Sequence, residues 1–436
     1  MSISEIDNLA ASICSSYPSI GQNLLGLRQH PRQRIKWIED GLRLARQLND
    51  RPLEAHHLHW LGMAYDDVGQ LQRAIAPLQQ ALEIFRETEK RQFEASTTMS
   101  IANAHSRLSE HQKAIEYYEQ ALELARELDD VQLHGKVLGN LGSAYMELGD
   151  LQTAIELLEE ALKISQQLND WLDGSTWMNS LGNACLSMGE NRRALEYFEA
   201  SLVVTRDLGL RSGECTQLTN IGDVYFNLGQ LAEAAEIYEQ CLQLAREFDD
   251  SVNEASALGN LGSVCLQQKK FDRALEYYEL SLALGRQIGN YDMEAAAFGN
   301  MASVYLELGQ PERAIEFCEK SLVIARGLGL RNREAAVLGN IGSAYVKMGE
   351  LRYATEFYER AVSIFREVED CRSEATFLYN LGCVHCRLRQ RFEATHAFQS
   401  ALAILDDLND PLASTIRAQI AGGQPSLSTP LHKLSS

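Results

Sequence analysis

Asparagine occupies positions 140, 220, 260, 300, 340 and 380, always a multiple of 40 residues apart, and Ser100 and Ser180 fall on the same step. A primary amide donates to a carbonyl and accepts from an N–H at once. A row of amides at one spacing therefore has the chemistry to hold the backbone of an extended peptide with little regard for its sequence. Small residues accompany the later members of the row: Gly259 with Ser263, Gly299 with Ser303, and Gly339 with Ser343. These leave room for a partner's side chains. Asn140, Asn220, Asn260, Asn300, Asn340 and Asn380, with Ser263, Ser303 and Ser343, form the candidate peptide-binding set.

Two other clusters have reactive residue types. Cys383-Val-His-Cys386, with Cys371 upstream, has thiols spaced to share a metal ion or a redox bond. No second Cys pair follows at zinc spacing, and the segment lies within a helical pattern, so it reads as packing. His56, His57 and His59, followed by Trp60 and Met63, make either a pocket with an aromatic anchor or a patch packed on the N-terminal end, and Trp60 joins the candidate set on the first reading. No Gly-rich phosphate loop, nucleophile elbow, Ser/His/Asp set or His-Glu-x-x-His run occurs. The expectation is a protein that is not an enzyme, with no catalytic residues, no cofactor and no metal.

The elements that position these residues follow from the period. Alanine stands at 74, 114, 154, 194, 234, 274, 314, 354 and 394, and Leu, Ile or Met at 61, 101, 141, 181, 221, 261, 301, 341 and 381. Internal repetition settles architecture before any other argument, and these columns give nine repeats over 51–410. Leu138, Leu141, Gly142 and Tyr145 share one helix face, and Ala154, Leu158 and Ala161 share the face of a second helix, so each repeat is a helical hairpin. Gly at 69, 149, 189, 229, 309 and 349 suits a left-handed cap between the two helices. Asp50, Asp130, Asp170, Asp250, Asp370 and Asp410 suit N-caps at the other junction. Arg at 46, 86, 126, 206, 246, 286, 326 and 366 precedes, in most repeats, a Glu eight residues on. That places a cation in the last turn of one helix and an anion in the first turn of the next, where each favours the local dipole and the two can pair.

The segment LGNLGSAYMELGDLQTAIELLEEALKI, residues 138 to 164, resembles a tetratricopeptide repeat through Leu141, Gly142, Tyr145, Ala154, Leu158 and Ala161. Its period is 40 rather than the common 34, as in repeats of kinesin light chains, Leu-Gly-Asn-repeat polarity adaptors and bacterial arrays. The resemblance implies an all-α fold, a right-handed superhelical solenoid of antiparallel helix pairs with about nine full repeats plus degenerate caps. It also implies that first helices line the concave face, bringing the asparagine row to a groove, with His56, His59, Trp60, Met63 and Asp67 at its N-terminal end. The Lys/Arg clamp of repeats that grip chaperone tails is missing, since Lys136 stands almost alone at those positions.

Residues 1–50 read as a degenerate repeat or cap, with Ile38, Gly41 and Arg46 in phase and Ile20-Gly21 hinting at a first helix; 411–421 reads as a capping helix and 422–436 as a disordered tail. Lys and Arg total 40 against 60 Asp and Glu, a net charge of -20, which disfavours nucleic acid and anionic membrane and more easily accommodates a basic or neutral protein or peptide partner. The beginning of the sequence has no basic, then apolar, leader pattern, no apolar run is long enough to insert in a membrane, and the nine cysteines suit a reducing compartment, so the expected location is cytoplasmic. The expected function is an interaction scaffold or adaptor holding an extended peptide. The alternatives are a bacterial peptide-sensing regulator, although only about 50 residues precede the repeats where such proteins usually carry an effector module, and a scaffold that self-assembles through its ends.

Overall fold

A computed structural model of the chain describes residues 31–368, 370–407 and 412–421. The expected helix around Ile20-Gly21, the cap at Asp410 and the tail from 422 lie outside these residues. The described residues are helical, without strands, and fall into two units, 1–204 and 205–436.

Unit 1 begins with α1 (Pro31–Gln47). Four hairpins follow: α2 (Arg51–Asp67) with α3 (Leu71–Glu87), α4 (Arg91–Arg107) with α5 (His111–Glu127), α6 (Val131–Glu147) with α7 (Leu151–Leu168), and α8 (Trp171–Ser187) with α9 (Asn191–Asp207), whose last turn belongs to unit 2. Unit 2 holds α10 (Arg211–Asn227) with α11 (Leu231–Glu247), α12 (Ser251–Gln267) with α13 (Phe271–Gln287), α14 (Tyr291–Glu307) with α15 (Pro311–Leu328), α16 (Arg331–Met348) with α17 (Leu351–Glu367), and α18 (Cys371–Arg387) with α19 (Arg391–Asp407). The helix α20 (Leu412–Ala421) completes it. Within each unit the architecture is that of an all-α solenoid of antiparallel helix pairs. No described helix is long and apolar enough to cross a membrane.

Two columns make each hairpin close. Ala74, Ala114, Ala154, Ala194, Ala234, Ala274, Ala314 and Ala354 are all fully buried. Opposite them the helix glycines admit a large side chain from the paired helix: a Cβ on Gly222 would stand 2.4 Å from Tyr238, and one on Gly262 2.6 Å from Tyr278. Glycine costs helix stability, and the close approach it permits outweighs that cost by burying the aromatic ring.

The chain turns at both junctions through a left-handed residue. The six predicted glycines have φ between 70° and 83°. At the junctions between hairpins the same backbone is held by Asn49, Glu89, Asp129, Asn169 and Asp249. Five of the predicted aspartate caps accept from the backbone N–H three residues on, as Asp130 does from Leu133 at 2.9 Å.

Seven of the Arg–Glu pairs form, joining residues 46 to 54, 86 to 94, 206 to 214, 246 to 254, 286 to 294, 326 to 334 and 366 to 374 at 2.6 to 3.1 Å. Burial alone would raise the carboxyls of Glu214 and Glu334, but two guanidinium groups bond each of them and hold both below the ordinary value. A depressed native pKa gives stabilisation that is complete above the unfolded value, about 4.3, and lost as pH falls through the native one. Glu214→Gln with Glu334→Gln is therefore expected to lower the melting temperature at pH 7, with the gap to wild type narrowing below about pH 4. A gap that ignored pH would assign the effect to packing.

Candidate functional site

Within each unit the first helices of neighbouring hairpins touch one another, so they form the inner rail of the stack. In unit 2 this rail is α10, α12, α14, α16 and α18. It encloses a cavity of about 120 Å³ lined by Asp223 from α10, Asn260 and Ser263 from α12, Gly299, Asn300 and Ser303 from α14, and Asn340 from α16, with Tyr238 and Tyr278 contributed by second helices.

The cavity wall includes Gly299 and Val337, where a side chain is small. In unit 1 the ring of Trp177 fills the space beside Gly139, where a Cβ would stand 2.4 Å from the indole; in unit 2 Phe377 does the same at Gly339, at 2.0 Å. Thus Gly339 makes room for the protein's own phenylalanine rather than for a partner. The residues at the same offset from Gly259 and Gly299 are Ala297 and Val337. Beside those two glycines the nearest neighbours are Ser281 Oγ, 3.8 Å from a Cβ on Gly259, and Ser321 Oγ, 3.9 Å from one on Gly299.

Asn260, Asn300 and Asn340 are half-buried in this wall. Among the described residues none of the three amides has a hydrogen-bond partner. Their polar atoms are not sealed from solvent, so three such amides on one cavity are open to donate to a ligand's C=O groups and to accept from its N–H groups. Ser263 lines the cavity and bonds the Gly259 carbonyl at 3.2 Å and the Tyr278 hydroxyl at 3.0 Å. Ser303 bonds the Gly299 carbonyl at 3.2 Å, and its second-helix neighbour in the tyrosine column is Cys318.

The remaining candidates are placed differently. Ser343 is buried, bonded to the Gly339 carbonyl at 3.0 Å and to Tyr358 at 2.9 Å. Asn380 is 3% exposed, within a run of buried residues from Ser373 to His385. Asn220 is half-buried on α10 and does not line the cavity. In unit 1, Asn140 donates to Asn103 Oδ1 at 3.1 Å, and Tyr118 donates to the same oxygen at 2.6 Å. Trp60 packs against the cluster of Ile38, Leu42, Leu58 and Leu61. Beside it His59 pairs with the Thr97 hydroxyl at 3.0 Å, and burial, aided by His56, pushes its pKa down to about 4. Cys383 is buried, its thiol pushed up to about 11 by burial, whereas Cys371 and Cys386 are exposed. Among the described residues no three His, Cys, Asp or Glu side chains converge as a metal ion would require.

Sequence reasoning missed two charged residues of the wall. Asp223 accepts from the Tyr238 hydroxyl at 2.5 Å, and burial lifts its carboxyl to about 6 against the pull of that hydrogen bond. Arg333, also on the cavity wall, bonds Asp292 at 2.9 Å. The signal for Asp223 was in its column: the other repeats carry Met63, Asn103, Ser143, Asn183, Ser263, Ser303, Ser343 and Cys383, all uncharged.

Comparisons with known proteins agree with this architecture. A family model described as Tetratricopeptide repeat matches residues 133–206, 214–287, 293–367 and 333–407. One described as Foie gras liver health family 1 matches residues 37–164. No curated protein matches the sequence. Similar solved structures include the apo form of the quorum sensor NprR from B. thuringiensis, with 18% identity, 78% of this chain and 99% of that one covered, and a TM-score of 0.54. A Rap protein complexed with competence and sporulation factor has 13% identity, 82% and 99% coverage, and a TM-score of 0.56. The Rap conjugation gene regulator of plasmid pLS20 in complex with the Phr* peptide has 17% identity, 83% and 96% coverage, and a TM-score of 0.51. At these identities the likeness is one of fold.

Proposed function

We propose, for a chain that belongs to the tetratricopeptide repeat family, that unit 2 is a non-catalytic receptor for an extended peptide, held by its backbone along the first-helix wall. The observation that carries this reading is the set of unpaired amides of Asn260, Asn300 and Asn340 on one cavity. Repeats of this family and neighbours of this fold support an interaction scaffold in the coarse sense. Two of those neighbours are complexes, one with competence and sporulation factor and one with the Phr* peptide, and carrying peptide binding over to this chain is part of the proposal. So are a basic partner, favoured by the net charge of -20, and a cytoplasmic location, which suits the free thiols of Cys185, Cys215, Cys241, Cys265 and Cys318.

Backbone recognition makes a sharp demand on the ligand. The immobilised full-length chain is expected to retain members of a random library of linear decapeptides, and those retained are expected to compete for one site. Backbone N-methylation of the same peptides removes the N–H groups that an amide oxygen would accept from, and is expected to abolish retention. Equal retention of the methylated peptides, or retention of neither, would refute the proposal.

A further inference from the structure

We propose that Asp223 is the specificity residue of this groove, selecting a cationic group on the peptide: a Lys or Arg side chain or a free α-ammonium. The inference rests on the reading of the cavity as a peptide groove and adds to it which peptides are held.

The argument begins with what Asp223 is not needed for. Tyr238 occupies a column shared by Tyr278 and Tyr358, whose hydroxyls are engaged by Ser263 and Ser343 at 3.0 and 2.9 Å. A serine at 223 would engage Tyr238 in the same way, so the hydroxyl does not require a carboxylate. A half-buried carboxylate among apolar neighbours is costly to ionise unless a cation joins it. Among the described residues no Lys, Arg or His pairs with Asp223, and the hydrogen bond it makes is the one from Tyr238. The opposite charge on the same wall is already compensated, since Arg333 is bonded to Asp292. Among the described residues that line the cavity, the one charged group without a counter-charge is therefore acidic. Its carboxyl stands high, at about 6, as expected of an acid waiting for a counter-charge. Binding a cation would restore full ionisation and supply the missing partner.

The two sources of that cation are separated by running the decapeptide library in two pools, one acetylated at the N-terminus and one free. If the cation is a side chain, peptides retained from the acetylated pool are enriched in Lys or Arg at one position; if it is the α-ammonium, retention is confined to the free pool. Asp223→Asn is expected to remove the preference and to weaken binding of a selected Lys or Arg peptide roughly thirtyfold or more, the lower end for breaking a desolvated charge pair. The alanine-substituted version of that peptide should bind wild type and variant alike. Asp223→Ser, which reproduces the Ser263–Tyr278 arrangement, should act in the same way, so a folding defect peculiar to Asn cannot imitate the result; circular dichroism melts accompany both. Retention without cationic preference, or a preference that survives both variants, would overturn the role of Asp223 while leaving the groove intact. Retention of nothing in either pool would overturn the groove and Asp223 together.

Discussion

Val337→Phe, on the cavity wall of unit 2, combined with Ala297→Phe one repeat earlier, is expected to fill the space beside Gly299 and Gly259 and to weaken binding of a selected decapeptide by roughly a hundredfold or more, about 3 kcal/mol. The protein already performs this operation elsewhere. Trp177 fills the space at Gly139 and Phe377 that at Gly339, both rings nearly fully buried in their first helices. Ala297 and Val337 stand at the same offset from Gly259 and Gly299, where little lies within reach of a built Cβ. A phenylalanine at either site, placed as Trp177 and Phe377 are, would bury apolar surface beside its glycine, so the melting temperature is expected to hold or rise. Val323→Phe, at a position 73% exposed on a second helix, is the control and should change nothing. The readout is fluorescence anisotropy of the labelled decapeptide, with melts on the same samples. Undiminished affinity in the double variant would place the peptide elsewhere. A large fall in melting temperature would show that the space is not free, and Val337→Phe alone would then report which of the two positions is crowded.

Much of the fold was legible in the sequence because each repeat restates the same packing demand. The alanine column, the glycine facing the second helix and the Asp caps all act within one hairpin or one junction, so nearby residues determine them. The left-handed turns at Asn49, Glu89, Asp129 and Asp249 were not legible, because the preference of Glu or Asp for other backbone is overridden by turn bonds such as Lys90 N to the Phe85 carbonyl at 2.9 Å. The site was less legible than the fold, for a related reason. Whether a groove glycine opens a pocket depends on the residue 38 positions later, and a column read alone cannot show that Phe377 closes Gly339 while Val337 leaves Gly299 open. The burial of Asn380 depends likewise on the end of the array, where Ala413 and Ile416 of α20 share a cluster with Phe377, Leu378 and Leu381. Asp223 was visible as an odd member of its column, but its meaning required knowing that it lines a cavity and that no cation among the described residues pairs with it.

The central claim is that unpaired amides hold the ligand's backbone, and changing Asn260, Asn300 and Asn340 together to Ala tests it most directly. Each amide loses hydrogen bonds worth ~1 kcal/mol net, so the triple variant should lose roughly 3 kcal/mol, about 150-fold in dissociation constant, if the losses add. These amides have no partner among the described residues, so the folded state forfeits little without them, and the melting temperature should stay close to that of wild type. The measurement is calorimetric titration of a selected decapeptide into wild type and triple variant, with circular dichroism melts of both. The expected result is a large loss of affinity with an unchanged melt; wild-type affinity in the variant, or a much lower melt, would contradict the account.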